Sequence, residues 1–205
     1  LTDKEIFTKI WFSPRLVFRY LEQNNYSKFG PILLVLAGIS SGIDRSISRS
    51  AGDSMSLWAV LAIAVVAGGL LGWISYYIYA ALISWTGSWI KGTSDTSSIL
   101  RVLAHALIPS IASLAILFAQ IGVFGNGLFQ SYSDLIHDLP LQVFYYFTLF
   151  ISAVLSIWTL VLLIIGVSEV QKFSIGKAIL NVLLPVLLFL IPIAIIAFVL
   201  GDLFR

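Results

Sequence analysis

Four long stretches of this chain contain no Asp, Glu, Lys or Arg: Leu57 to Ile90, Val102 to Phe124, Leu141 to Ser168 and Ala178 to Leu200. A bilayer core takes roughly 20 apolar residues per helix, so each stretch is long enough to cross. Inside lipid every backbone N–H and C=O needs an internal partner, which makes the helix the natural spanning element for runs of this length. A fifth segment, Phe29 to Ile47, is shorter in its uninterrupted part, "GPILLVLAGISSGI", and meets Asp44 and Arg45 before a full crossing. It must use its charged last turn, thin the bilayer, or stay re-entrant. Five crossings are the expectation adopted. Composition agrees, with 11% charged residues against roughly 25% in soluble domains. The expected fold class is therefore all-α, a polytopic membrane helix bundle of about five transmembrane helices (about 29–47, 57–90, 102–124, 141–168 and 178–200) preceded by a short amphipathic N-terminal segment.

That segment, residues 1–28, reads as two short helices, set apart from a transmembrane domain over 29–205. Thr2 and Glu5 have capping-box spacing, and Ser13 followed by Pro14 supplies an N-cap and a first helical position. Ile6, Ile10, Val17 and Leu21 share one face; Lys4, Lys9, Arg15 and Arg19 supply a cationic side. Such a face either lies in the membrane interface or packs under the bundle as a foot. Nothing there reads as a cleavable signal peptide. With the N-terminus inside and five crossings, the cytoplasmic flanks hold nine Lys/Arg and the opposite flanks three. The positive-inside rule then places the N-terminus in the cytoplasm.

Leu57 to Ile90 is too long for one hydrocarbon core: about 51 Å as a continuous helix against roughly 30 Å. Trp85, Trp89 and Lys91 form an aromatic and basic anchor at its end. Gly68, Gly72, Tyr76, Ala80, Ser84 and Ser88 recur at four-residue steps, with Gly68-x-x-x-Gly72 a close-packing motif, and Gly68, Gly72, Ala80 and Ser84 make a helix-packing seam that could also serve a homo-oligomer. The alternative for this aromatic stretch is a groove for lipid tails or sterols. No internal repeat supports an inverted-repeat transporter.

Little here suggests catalysis. There is no Cys, and the two His, His105 and His137, lack metal-ligand spacing. Nucleotide-binding, serine-hydrolase and zinc-protease motifs are absent. No cofactor, metal or nucleic acid is expected. Coupled transporters normally keep an ionisable residue within the membrane, whereas the last four spans contain no Asp, Glu, Lys or Arg, and His105, Glu169 and Asp44 lie near expected helix ends. Their polar groups are neutral, Ser110, Ser113, Gln120, Ser152, Ser156 and Thr159, and suit helix-to-helix hydrogen bonds at least as well as a solute path. Pro109, Pro185 and Pro192 are expected to kink their helices. Charge gathers instead in "KGTSDTSSILR", Lys91 to Arg101, and "SEVQKFSIGK", Ser168 to Lys177. Lys91, Arg101, Glu169, Lys172 and Lys177 are the candidate cytosolic surface for a protein partner or anionic lipid.

The run "WTGSWIKGTSDTSSILRVLAHALIPSI", Trp85 to Ile111, and the later "IWTLVLLIIGVSEVQKFSIGKAIL", Ile157 to Leu180, resemble the Yip1 domain family in order and spacing, as does the N-terminal "SPRLVFRYL". The resemblance implies five spans and a cytosolic N-terminus. It also implies, for eukaryotic members, traffic between endoplasmic reticulum and Golgi with Rab GTPases. These 205 residues carry neither a long N-terminal region ahead of the first span nor an Asp-Leu-Tyr-Gly-Pro motif. They look more like the compact bacterial members, a likeness that implies the bacterial cytoplasmic (inner) membrane, and Rab binding is not carried over. The expected function is that of a non-enzymatic membrane-organising or partner-binding scaffold, associated with the bilayer, with itself or with another protein. The alternative is a transporter or lipid-handling channel using neutral polar groups in kinked helices.

Overall fold

The computed structural model describes residues 1–131 and 138–203, with side chains up to Leu190 and at Pro192. Nine α-helices and no strands occur among the described residues. In chain order they are α1 Asp3–Lys9, α2 Pro14–Gln23, α3 Gly30–Ser48, α4 Leu57–Ile63, α5 Gly69–Trp89, α6 Thr96–Ala106, α7 Ile108–Phe124, α8 Leu139–Gln171 and α9 Ile175–Leu203. Four stretches are long and apolar enough to cross a membrane: Gly30–Ser48, Leu57–Trp89, Thr96–Phe129 and Leu139–Gln171. The described apolar part of α9, Ile175–Leu190, is shorter. Outward-facing Leu70, Leu71 and Ile78 on α5, and Phe147, Phe150 and Ile157 on α8, would strand apolar area in water and are at home against lipid. The protein is an all-α membrane helix bundle.

Two expected features take a different local form. The 57–90 stretch is not one regular helix: a π-helical turn, Ala64–Gly68, sits between α4 and α5. Pro109 does not kink a continuous helix. One helix ends at Ala106 and the next starts at Ile108, with Pro109 in its first turn, where a missing N–H breaks no bond. The neighbouring Ser110 N–H, which has no acceptor one turn back in α7, donates to Thr159 Oγ1 of α8 at 3.1 Å. α9 runs on through Pro185 and Pro192.

The chain folds as two compact units. One comprises Leu1–Asn25, Tyr77–Val102 and Ile164–Arg205; the other comprises Tyr26–Tyr76 and Leu103–Leu163. In the first, Ile6, Ile10, Val17, Phe18 and Leu21 are all at most 1% exposed, so the apolar face of α1 and α2 is buried in protein. Of the two roles open to that face, burial matches the foot. The capping box at Thr2 and Glu5 is formed, while Ser13 is the N-cap of α2 without a side-chain cap bond.

The second unit is built round Ile43, Val60, Ala64, Leu114, Leu117, Phe124, Leu128 and Phe129. Its tightest contact is glycine on glycine. A Cβ on Gly42 would lie 2.6 Å from the Ala64 carbonyl oxygen, and one on Gly72 would lie 2.6 Å from Gly38 Cα. No larger residue lets α3 and α5 approach this closely. At another point the connection after α3 is tied to the turn after α7: Asn126 Nδ2 donates to Gly52 O at 3.2 Å, and the Ser131 N–H donates to Asp53 Oδ1 at 3.1 Å.

Candidate functional site

The loops that follow α5 and α8 meet in the first unit, and a buried amide organises them. Gln171, the last residue of α8, is 1% exposed; its Oε1 accepts the Ser94 N–H at 3.1 Å. Its amide lies directly against Gly87 and Gly92, leaving no room for a Cβ at either position. The glycines of "TGSWIKG" are thus what allow a polar side chain to reach the backbone here. Asn181 of α9, fully buried, donates from Nδ2 to Ile83 O and to Thr86 Oγ1, each at 3.0 Å, and Thr86 Oγ1 in turn donates to Leu82 O at 2.8 Å. A buried amide left without such partners would cost several kcal/mol, on the order of 2–7. Its satisfied network therefore fixes the ends of α5, α8 and α9 together. Serines brace both loops: Ser84 Oγ donates to Ser94 O at 3.1 Å, and Ser168 Oγ to Phe173 O at 2.7 Å.

Both helices end in a left-handed residue that is not glycine. Lys91 has φ 71° and Lys172 has φ 59°. The Gly92 N–H reaches back to Gly87 O at 2.9 Å and the Phe173 N–H to Ser168 O at 3.0 Å, closing each C-terminus by the usual six-to-one bond. Lysine replaces the customary glycine at each turn, where its cation complements the negative end of the helix dipole.

Ion pairs join the N-terminal helices to this region. Arg19 Nη2 meets Glu169 Oε1 at 2.9 Å. Arg101, its side chain 13% exposed, meets Glu22 Oε2 at 3.1 Å, and Ser98 closes a triangle by accepting from Arg101 at 2.9 Å and donating to Glu22 Oε1 at 3.1 Å. Asp95 caps α6 by accepting the Ser98 N–H at 2.9 Å, and that bond holds its carboxyl below the usual carboxylate range.

The surface residues singled out in the sequence therefore divide. Arg101 and Glu169 are internal partners of Glu22 and Arg19, whereas Lys91, Lys172 and Lys177 are exposed, with Lys177 Nζ 6.0 Å from the Phe173 ring centroid. The seam residues divide too. Gly68 and Gly72 face Gly38 and Gly42 in the second unit, while Ala80 is buried and Ser84 hydrogen-bonded in the first. His105 is wholly buried, its ring centroid 6.3 Å from that of Tyr26; His137 lies outside the described residues. No cluster of three His, Asp or Glu able to hold a metal occurs among the described residues. Thr86, Gln171, Asn181 and Glu22 were not singled out. Asn181 was legible in principle, since a lone amide in "AILNVLLP" has to find a partner once buried.

Comparison with curated proteins and with solved structures finds no match. The family pattern described as the Yip1 domain matches residues 8–196, which include both ion-paired N-terminal contacts, the two braced loops and the glycine seam. The chain belongs to the Yip1 domain family.

Proposed function

We propose that this protein is a non-enzymatic scaffold of the bacterial inner membrane, its N-terminus cytoplasmic, which organises the membrane or holds a protein partner through the charged end of the first unit. The observation that carries this is how the bundle uses its neutral polar groups. Gln120 Nε2 donates to Thr148 Oγ1 at 2.8 Å between α7 and α8, and Ser110 is held by Thr159 at 3.1 Å. Gln120, Ser110 and Thr159, which a solute path would use, are engaged in holding helices together. Charge is kept in the loops, on a platform braced by buried amides, with Lys91, Lys172 and Lys177 exposed. A homo-oligomer would have to use a face other than Gly68 and Gly72, which α3 covers.

A photo-crosslinking residue placed at the exposed Ser97 tests the proposal in intact cells. Discrete adducts are expected, and they should fade when Lys91, Lys172 and Lys177 are all changed to Glu. Absence of adducts, together with a pH-gradient-driven flux in liposomes that Glu169→Gln abolishes, would replace the scaffold with a transporter.

A further inference from the structure

Beside the glycine contact in the second unit, α3 and α5 enclose a cavity of about 400 Å³, within the range of small-ligand sites. Small residues flank the glycine contact and leave the hollow: Ser41, Ala67 and Ser75 are too short to fill the groove beside it. Ile63 and Leu71 belong to the lining and are 49% and 59% exposed, so the cavity opens onto the apolar surface that α4 and α5 turn to lipid. In a bilayer such a recess is filled by hydrocarbon, because an empty one forfeits dispersion contacts along its walls.

One end is chemically different. Arg45 and Arg49, one turn apart at the end of α3, line it there. Neither makes an ion pair with a described residue, and no carboxylate is part of the lining. Asp44 is adjacent in the chain but outside the lining, and Asp53 is engaged by Ser131. The C-terminal dipole of α3 offers about half a negative charge against two full positive ones. From Gly38 to Arg49 the groove wall runs for about 16 Å.

We infer that this cavity seats one anionic phospholipid, its phosphate on Arg45 and Arg49 and one acyl chain along the α3–α5 groove. An apolar recess opening to lipid and ending in two guanidinium groups that ion-pair with no described residue matches that amphiphile in both halves. A second copy of the chain matches it less well, since a two-fold pairing across this face would bring two arginine pairs together. The inference does not rest on the scaffold proposal.

The test uses the full chain purified in neutral detergent, with lipid retention read by native mass spectrometry and thermal unfolding by fluorescence. Phosphatidylglycerol is expected to be retained at one per chain and to raise the midpoint, whereas phosphatidylcholine and soluble glycerol 3-phosphate should do neither. Arg45→Gln and Arg49→Gln should each weaken phosphatidylglycerol by about tenfold, and Ala67→Phe should block it by filling the groove. Lys28→Gln, an exposed cation outside the cavity, should leave retention unchanged, and circular dichroism checks that each variant stays folded. Equal retention of phosphatidylcholine, or folded arginine variants that keep phosphatidylglycerol, would overturn the inference. A shift with glycerol 3-phosphate alone would overturn it in favour of a soluble phosphate ligand. A dimer that Ala67→Phe makes monomeric would overturn it in favour of a second copy.

Discussion

Lys172 sits in a backbone conformation that costs an L residue roughly 1 kcal/mol and glycine almost nothing. Its side chain is exposed, so little packing is lost on removing it. Lys172→Gly should therefore raise stability in detergent by up to about 1 kcal/mol, measured by thermal unfolding, while reducing any crosslink that depends on the loop's charge. Lys172→Val should do the reverse for stability, since a β-branched residue tolerates this φ worst. Glu5 offers a second measurement at this scale. Lys9 Nζ at 2.7 Å, and the Thr2 N–H at 2.9 Å within the capping box, lower its pKa to about 2. A depressed carboxylate pKa contributes stability that is present above the unfolded value, near 4.5, and is lost as pH falls towards about 2. Amide protection in α1, corrected for intrinsic exchange, should fall across that window in the natural chain and lose that pH dependence in Glu5→Gln. The Thr2 and Glu5 pairing was legible because a capping box is local. The left-handed lysines were not, because nothing in "WIKG" or "VQKF" distinguishes a lysine at positive φ from one in an ordinary turn.

Between elements, the glycine contact makes the sharpest claim. Gly72 faces Gly38 backbone with no room for a Cβ, while Leu71, one residue earlier, is 59% exposed. Gly72→Leu should destabilise the protein by more than about 1–3 kcal/mol, because helix backbones rather than flexible side chains would have to move. Leu71→Ala should stay within about 0.5 kcal/mol. Thermal unfolding of the two variants side by side decides the matter, and equal effects would remove α3 as the partner of that face. Half of this contact could be read from Gly68-x-x-x-Gly72 alone. The other half, Gly38-x-x-x-Gly42, stands in "LAGISSGI" with the same spacing, but spacing says that a helix can be approached closely and not by which neighbour. The π-helical turn beside it leaves no mark in composition, since Ala64 to Gly68 is as apolar as the helix on either side.

At the scale of the molecule, the helices lie where the apolar runs placed them, at Gly30–Ser48, Leu57–Trp89, Thr96–Phe129, Leu139–Gln171 and Ile175–Leu203. Several begin earlier or end later than the apolar edge, because backbone hydrogen bonding continues until a cap stops it: Asp95 before α6, Lys172 after α8. The grouping of connections was not legible, since it depends on pairs such as Gln171 with Ser94 and Asp53 with Ser131, which are 77 and 78 residues apart. That grouping bears on topology. The first unit gathers the N-terminal helices and the loops after α5 and α8; the second gathers the connections after α3 and α7. Alternating crossings put alternate connections on the same side of a membrane, so on the proposed orientation, argued from nine basic residues against three, the loops after α5 and α8 are expected on the cytoplasmic side. Ser97, Ser174 and Ser131 are all exposed, and the chain has no cysteine of its own. Cysteine at Ser97 or Ser174 should resist an impermeant thiol reagent in intact cells and react once the membrane is opened, whereas cysteine at Ser131 should react at once. Labelling of Ser97 and Ser174 from outside with Ser131 shielded would invert the orientation while keeping the sorting, and labelling of Ser97 and Ser131 together would break the five-span count itself.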